Sequence, residues 1–203
     1  DINDISKYYM LYYDILLALG EHDRAGEVAE EAFNRLCTDE LLYLYAVHRM
    51  KYRDDPDSVR SLIFSRDDSD FINLAKTAYY ISSNKMIPAR DHLFMTNGKV
   101  HNDYYIYRAY ILMKYREYDK ELQVSKNIDM NKPEYFWYNS VNHWNMGNIV
   151  EFDRMASRSA SEKLSLNRKP PMSVHIEPVL EDMNLSYRFN GEFEEILTTI
   201  LYP

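Results

Sequence analysis

Five short breaks interrupt a sequence otherwise compatible with helix: Gly20, Arg53, Asn84, Arg116 and Gly147. Their successive separations are 33, 31, 32 and 31 residues. An apolar, tyrosine-rich run precedes each break and an amphipathic run follows it. The clearest case is 104–127, YYIYRAYILMKYREYDKELQVSKN, which turns at Arg116-Glu117. A regular period of this length, with two helices per unit, marks stacked helical hairpins in which each unit hides its apolar side only against the next. The chain has only 5 Gly and 7 Pro, too few for a protein of many tight strand turns, and its 46% hydrophobic content excludes a disordered chain.

Segment 8–19, YYMLYYDILLAL, is apolar almost all round, so burial on more than one side is expected of it. After Gly20, the residues Ala25, Val28, Ala29, Ala32, Phe33 and Leu36 form one helical stripe. Thr38 stands as an N-cap before Asp39 and Glu40, whose charges suit a helix N-terminus. The second hairpin pairs 41–52 with 58–64, and Pro56 fits the first position of its second helix. The third pairs 70–83 with a helix ending near Met95, and the fourth pairs 103–115 with 118–127. Asn131-Lys132-Pro133-Glu134 resembles a capping box opening the fifth, which turns at Gly147-Asn148 and runs to about Ser159. Seven residues before the break sit Ala46, Ala109 and Ser140, with Thr77 close in size, where two helices are expected to cross closely; Tyr13 departs from this pattern. Residues 160–174 hold the Pro-Pro pair and read as a linker, and a sixth, shorter hairpin turns at Gly191.

The stretch Leu19-Gly20-Glu21-His22-Asp23-Arg24-Ala25, with Ala32 beyond it, resembles the tetratricopeptide repeat family. Arg116-Glu117-Tyr118-Asp119-Lys120 and Gly191-Glu192-Phe193-Glu194-Glu195 echo that family's turn and following aromatic. The Leu-Gly signature of the first helix and the regular closing proline are mostly missing. The resemblance implies an all-α fold, a right-handed α-solenoid of about five to six antiparallel helix hairpins, against the alternative of an irregular helical bundle. It implies one domain over 1–203, with repeats at roughly 5–37, 38–68, 69–100, 101–131 and 132–162, a linker at 163–175 and a partial repeat at 176–203. It also implies that the first helix of each hairpin lines a concave face. By spacing, the groove side there would hold Tyr43, Val47 and Met50; Ile106, Tyr110 and Met113; and Trp137, Val141 and Trp144. The competing reading makes these rings inter-repeat core. The Lys, Asn and Arg set of the family's carboxylate-clamp subtype is not seen, so capture of acidic chain termini is not expected.

No catalytic constellation emerges. His22, His48, His92, His101, His143 and His175 lack a His or Cys partner at zinc-ligand spacing. Asp54, Asp55 and Asp57, and then Asp67, Asp68 and Asp70, form two acidic knots that read as caps and turns rather than cation ligands. Glycine-rich phosphate loops, Gly-x-Ser-x-Gly and His-Glu-x-x-His are absent from the sequence. No enzyme activity, cofactor or metal is expected. Cys37, the single cysteine, is expected to pack at the end of its helix; a chain with one cysteine forms no internal disulfide, which suits a reducing, cytoplasmic setting. The net charge of −8 disfavours nucleic acid, and Lys163, Arg168 and Lys169 read as a solvated linker. No apolar run reaches membrane-spanning length, so no membrane partner is expected.

Aromatics and methionines on one helix face suit recognition of an apolar or helical peptide. The function expected is therefore a non-catalytic protein–protein interaction or scaffold module, with another protein or a peptide as partner. The ends of such an array expose apolar surface, which also allows a homo-oligomer through a terminal repeat. Two alternatives stand beside this: a sensor or scaffold arm of a larger regulator bearing a nucleotide-binding switch or DNA-binding domain, and a subunit of a helical-array enzyme with an acidic metal site. The first residue, Asp1, reads as the start of an excerpt rather than of a whole chain.

Overall fold

The computed structural model describes residues 2–155, apart from 54, 99, 129, 131–134, 136–137, 141, 144–145, 149 and 153. Every bounded element among them is an α-helix, and no strand occurs in the described residues. In order these are α1 (Ile2–Ala18), α2 (His22–Leu36), α3 (Asp39–Tyr52), α4 (Pro56–Phe64), α5 (Asp70–Ser82), α6 (Met86–Phe94), α7 (Asp103–Lys114) and α8 (Tyr118–Ser125). Further helical backbone occurs at 138–140, 142–143 and 150–152.

Four of the five breaks share a backbone cause. Gly20, Asn84, Arg116 and Gly147 all take left-handed backbone, with φ of 77°, 53°, 59° and 75°. At the first three the same pair of hydrogen bonds closes the preceding helix. Gly20 N–H donates to the Leu17 carbonyl and Glu21 N–H to that of Leu16; Asn84 and Lys85 donate to Ile81 and Tyr80; Arg116 and Glu117 donate to Met113 and Leu112. This is the double bond pattern in which one left-handed residue satisfies carbonyls that a helix end would otherwise leave bare. At Gly147 the outer bond is seen again, from Asn148 N–H to the His143 carbonyl. Arg53 differs: its φ is −115°, and the chain is redirected by Asp55, whose carboxylate accepts from Ser58 N–H at 3.2 Å, and by Pro56 at the start of α4.

The chain divides into two compact units, Asp1–Tyr104 and Tyr105–Pro203. In the first, α3 is central and packs on α1, α2, α4 and α5, while α5 packs on α4 and α6. Tyr13 and Leu16 of α1, Ala25, Ala29, Ala32 and Phe33 of α2, Leu41, Leu42 and Leu44 of α3, and Ile72 of α5 make its core. Each large aliphatic side chain buried there stabilises the fold by about 1.5–3 kcal/mol. The small residues seven before each break are all buried, as the close-crossing expectation requires: Ala46, Thr77, Ala109 and Ser140. Thr77 shows why size matters, since its hydroxyl lies 3.4 Å from the Ala89 carbonyl on the paired helix. In the second unit Ile106, Tyr107, Tyr110, Ile111, Met113, Val124, Ile128, Tyr138 and Phe152 are buried.

Three local expectations are corrected. Thr38 occupies the N-cap position of α3, but its side chain makes no capping bond and instead lies 3.3 Å from the Ser6 hydroxyl. Cys37 does not pack: it takes left-handed backbone at the end of α2, which turns its thiol into solvent. Helix α1 is not buried on several sides: α2 and α3 cover one face and leave the other open. The capping box expected at 131–134, the linker and the sixth hairpin lie outside the described residues.

Candidate functional site

The open face of α1 carries a row of exposed apolar side chains. Ile5, Tyr8, Leu11, Ile15 and Leu19 are 45%, 65%, 61%, 47% and 66% exposed. Their spacings place them on one side of the helix. Tyr13 and Leu16, on the other side, are buried against α2 and α3. At 45–66% exposure, each side chain of the open face forgoes roughly half of the about 1.5–3 kcal/mol that full burial would supply. The Tyr8 and Tyr12 rings stack at 6.3 Å, and the Tyr12 hydroxyl accepts from Arg24 at 3.1 Å. Arg24 also pairs with Glu21, so a polar edge borders the stripe.

The residues expected to line a groove are placed as follows. Tyr43 is buried; its ring lies 5.8 Å from that of Phe71 on α5 and 5.3 Å, edge-on, from His101. Val47 and Met50 on the same helix are half-buried, and the Met50 sulfur lies 4.0 Å from the Ser82 hydroxyl of α5. Ile106, Tyr110 and Met113 are buried, and burial pushes the Tyr110 phenol well above its ordinary titration range. Trp137, Val141 and Trp144 lie outside the described residues. The spacing thus gathers Tyr43 and Met50 along the seam between α3 and α5, while the exposed apolar stripe belongs to α1. Its signal in the sequence was the absence of any polar face on 8–19.

Two polar groupings lie within the first unit. The Tyr43 hydroxyl donates to Asp103, whose carboxylate is 3.4 Å from His101 Nδ1. Lys76, nearly buried, donates to Asp68 at 2.6 Å, and His92 Nδ1 lies 3.0 Å from the Asn73 side-chain oxygen. Lys76 holds the Asp68 carboxyl below its usual range, chiefly through that hydrogen bond. His92 is pushed down by burial, with the Lys76 charge adding to it. These contacts tie α5 to α6, and Asp103 at the start of α7 to α3. Both acidic knots serve as connectors: Asp55 caps α4 and pairs with Arg49, Asp68 holds Lys76, and Asp70 accepts from Asn97 N–H. Among the described residues no three His, Cys, Asp or Glu side chains gather as a metal site, and no helix is long and apolar enough to cross a membrane.

Compared with known proteins, the chain matches no family model, no curated protein and no solved structure.

Proposed function

We propose that this chain is a non-catalytic protein–protein interaction module of the tetratricopeptide-like kind, its hairpins stacked as a right-handed solenoid. One observation carries the reading: five large apolar side chains aligned and exposed along α1. In this reading α1 supplies the contact surface. Val47 and Met50, half-buried on α3, are the described groove positions that could add to it. Tyr43, Ile106, Tyr110 and Met113 are buried and serve packing within their own units. The partner is an apolar protein segment, best presented as an amphipathic helix, whose own stripe at i, i+3, i+4 and i+7 matches a helical surface. The left-handed turns recurring at Gly20, Asn84, Arg116 and Gly147 support the repeat reading.

An array of amphipathic helical peptides probed with the full chain tests it. Retention of apolar segments, weakened by Tyr8→Ala together with Leu11→Ala, is expected. Retention unchanged by those substitutions but lost with Trp137→Ala and Trp144→Ala moves the contact into the groove. A chain that retains no segment at any concentration sinks the reading.

A further inference from the structure

We propose that the open face of α1 docks against the same face of a second copy of this chain, the two helices antiparallel about a two-fold axis near Leu11. The inference rests on the interaction-module reading and names its partner. The exposed stripe runs from Ile5 to Leu19, one residue past the end of α1, about 21 Å of seam. A two-fold axis makes a surface complementary to itself, with each residue meeting the one equally far beyond the axis. Here it sets Tyr8 of one copy near Ile15 of the other, and the Ile5 end near the Leu19 end, so apolar groups meet along the seam, with the exposed Asp4 at each end.

Charge fixes the direction. Lys7 and Asp14 are exposed and stand seven residues apart, hence on the same edge of α1. Antiparallel pairing near Leu11 brings Lys7 of each copy beside Asp14 of the other, twice in one interface. Parallel pairing about a two-fold axis puts the Lys7/Asp14 edges of the two copies on opposite sides of the seam, so neither contact forms. Opposite charges at the border of an apolar seam favour the antiparallel register, which alone brings them together. The Arg24–Tyr12 and Arg24–Glu21 contacts supply the polar rim that such an interface carries. One helix face is small beside a standard interface of roughly 800 Å² per partner, so the pairing is a reversible equilibrium rather than an obligate dimer.

Sedimentation equilibrium of the full chain over a wide concentration range tests this. A monomer–dimer equilibrium is expected, abolished by Leu11→Glu with the helical circular dichroism unchanged. Lys7→Asp alone and Asp14→Lys alone each weaken self-association by about threefold to tenfold, as two lost border pairs should. Mixing those two variants yields a heterodimer tighter than either homodimer, because every facing pair is then opposite in charge. This mixing experiment stands even if Leu11→Glu fails to fold. A chain monomeric throughout the range overturns the proposal, as does a dimer indifferent to the charge exchange. If that monomer still retains apolar peptides through Tyr8 and Leu11, the module reading survives and only the second copy is removed.

Discussion

The ring of His48 lies against the bare α-carbon of Gly26. A β-carbon built on Gly26 would stand 2.5 Å from His48 Nε2 and 2.9 Å from the neighbouring ring carbon. Helix α2 thus leaves room for a buried imidazole on α3, and Tyr13 of α1 completes the enclosure with its hydroxyl 3.2 Å from Nδ1. Tyr52 lies 4.8 Å from the same ring and stacks on His22 at 4.7 Å. One imidazole therefore registers three helices against each other.

Gly26→Ala is expected to destabilise the first unit. Alanine improves intrinsic helix propensity by about 1 kcal/mol over glycine. Against that stands overpacking, typically about 1–3 kcal/mol, and the ring it strikes is rigid and enclosed. Crowding wins here because the ring has no solvent side to retreat to. Urea unfolding should show the loss, and His48→Ala should turn the same substitution neutral or stabilising. A Gly26→Ala protein as stable as the parent refutes the registry role.

Acid should loosen the same region. Burial, with the nearby Arg53 charge and His22 adding to it, pushes His48 from its ordinary value down to about 4. Unfolded, the imidazole takes a proton near 6.5; folded, it resists until about 4. Between these values the unfolded chain binds more protons, so stability present above pH 6.5 drains away as pH falls, by about 1.4 kcal/mol per unit. Melting temperature followed from pH 7 to 4 should drop across that window, and His48→Gln should flatten the drop. A profile with the same slope in the variant assigns the acid lability elsewhere.

Particular residues show where the sequence was readable. The breaks at Gly20, Asn84, Arg116 and Gly147 were legible because a helix ends where one residue goes left-handed, and small or polar residues betray that. Helix bounds follow from those ends, as the match of 103–115 with Asp103–Lys114 illustrates. The side of α1 that stays open was not legible. When both faces are apolar, composition cannot say which one the neighbours cover, and only the position of α2 and α3 decides. Tyr43 and Met50 shared the same ambiguity: spacing at i and i+7 proves a common face, and both a groove and an inter-helix seam satisfy it. Cys37 was misread because an apolar thiol suggests packing, whereas its left-handed backbone at the end of α2 points it outward.

Arg116→Gly should stabilise the protein. Arg116 holds φ at 59°, where a side chain clashes with its own backbone and glycine does not. Relief of about 1 kcal/mol is expected, partly offset because glycine also frees the unfolded chain. Gly20→Ala, at φ 77°, should lose a comparable amount. Thermal unfolding of the two variants gives opposite shifts if the left-handed turns are shared helix stops, and shifts of the same sign count against that.

Glu121 offers the sharpest test of the second unit. Five residues after the left-handed turn residue, the hairpins place Ala25, Ala89 and Glu121, each fully buried. Both Glu121 carboxyl oxygens lack a hydrogen-bond partner, and burial raises its titration well above the usual carboxylate range. The sign is opposite to that of His48. Folded, Glu121 keeps a proton that the unfolded chain has already released, so its contribution holds at acid pH and is lost as pH climbs out of the carboxylate range. Glu121→Gln keeps the shape and removes the ionisation. Relieving one uncompensated buried group should gain about 1–3 kcal/mol at pH 7.5, and the gain should shrink towards pH 4, where the parent carboxyl is neutral in both states. Guanidinium unfolding at the two pH values measures the difference. An equal gain at both, or a loss at pH 7.5, means that Glu121 is compensated at neutral pH by a partner its buried oxygens do not show.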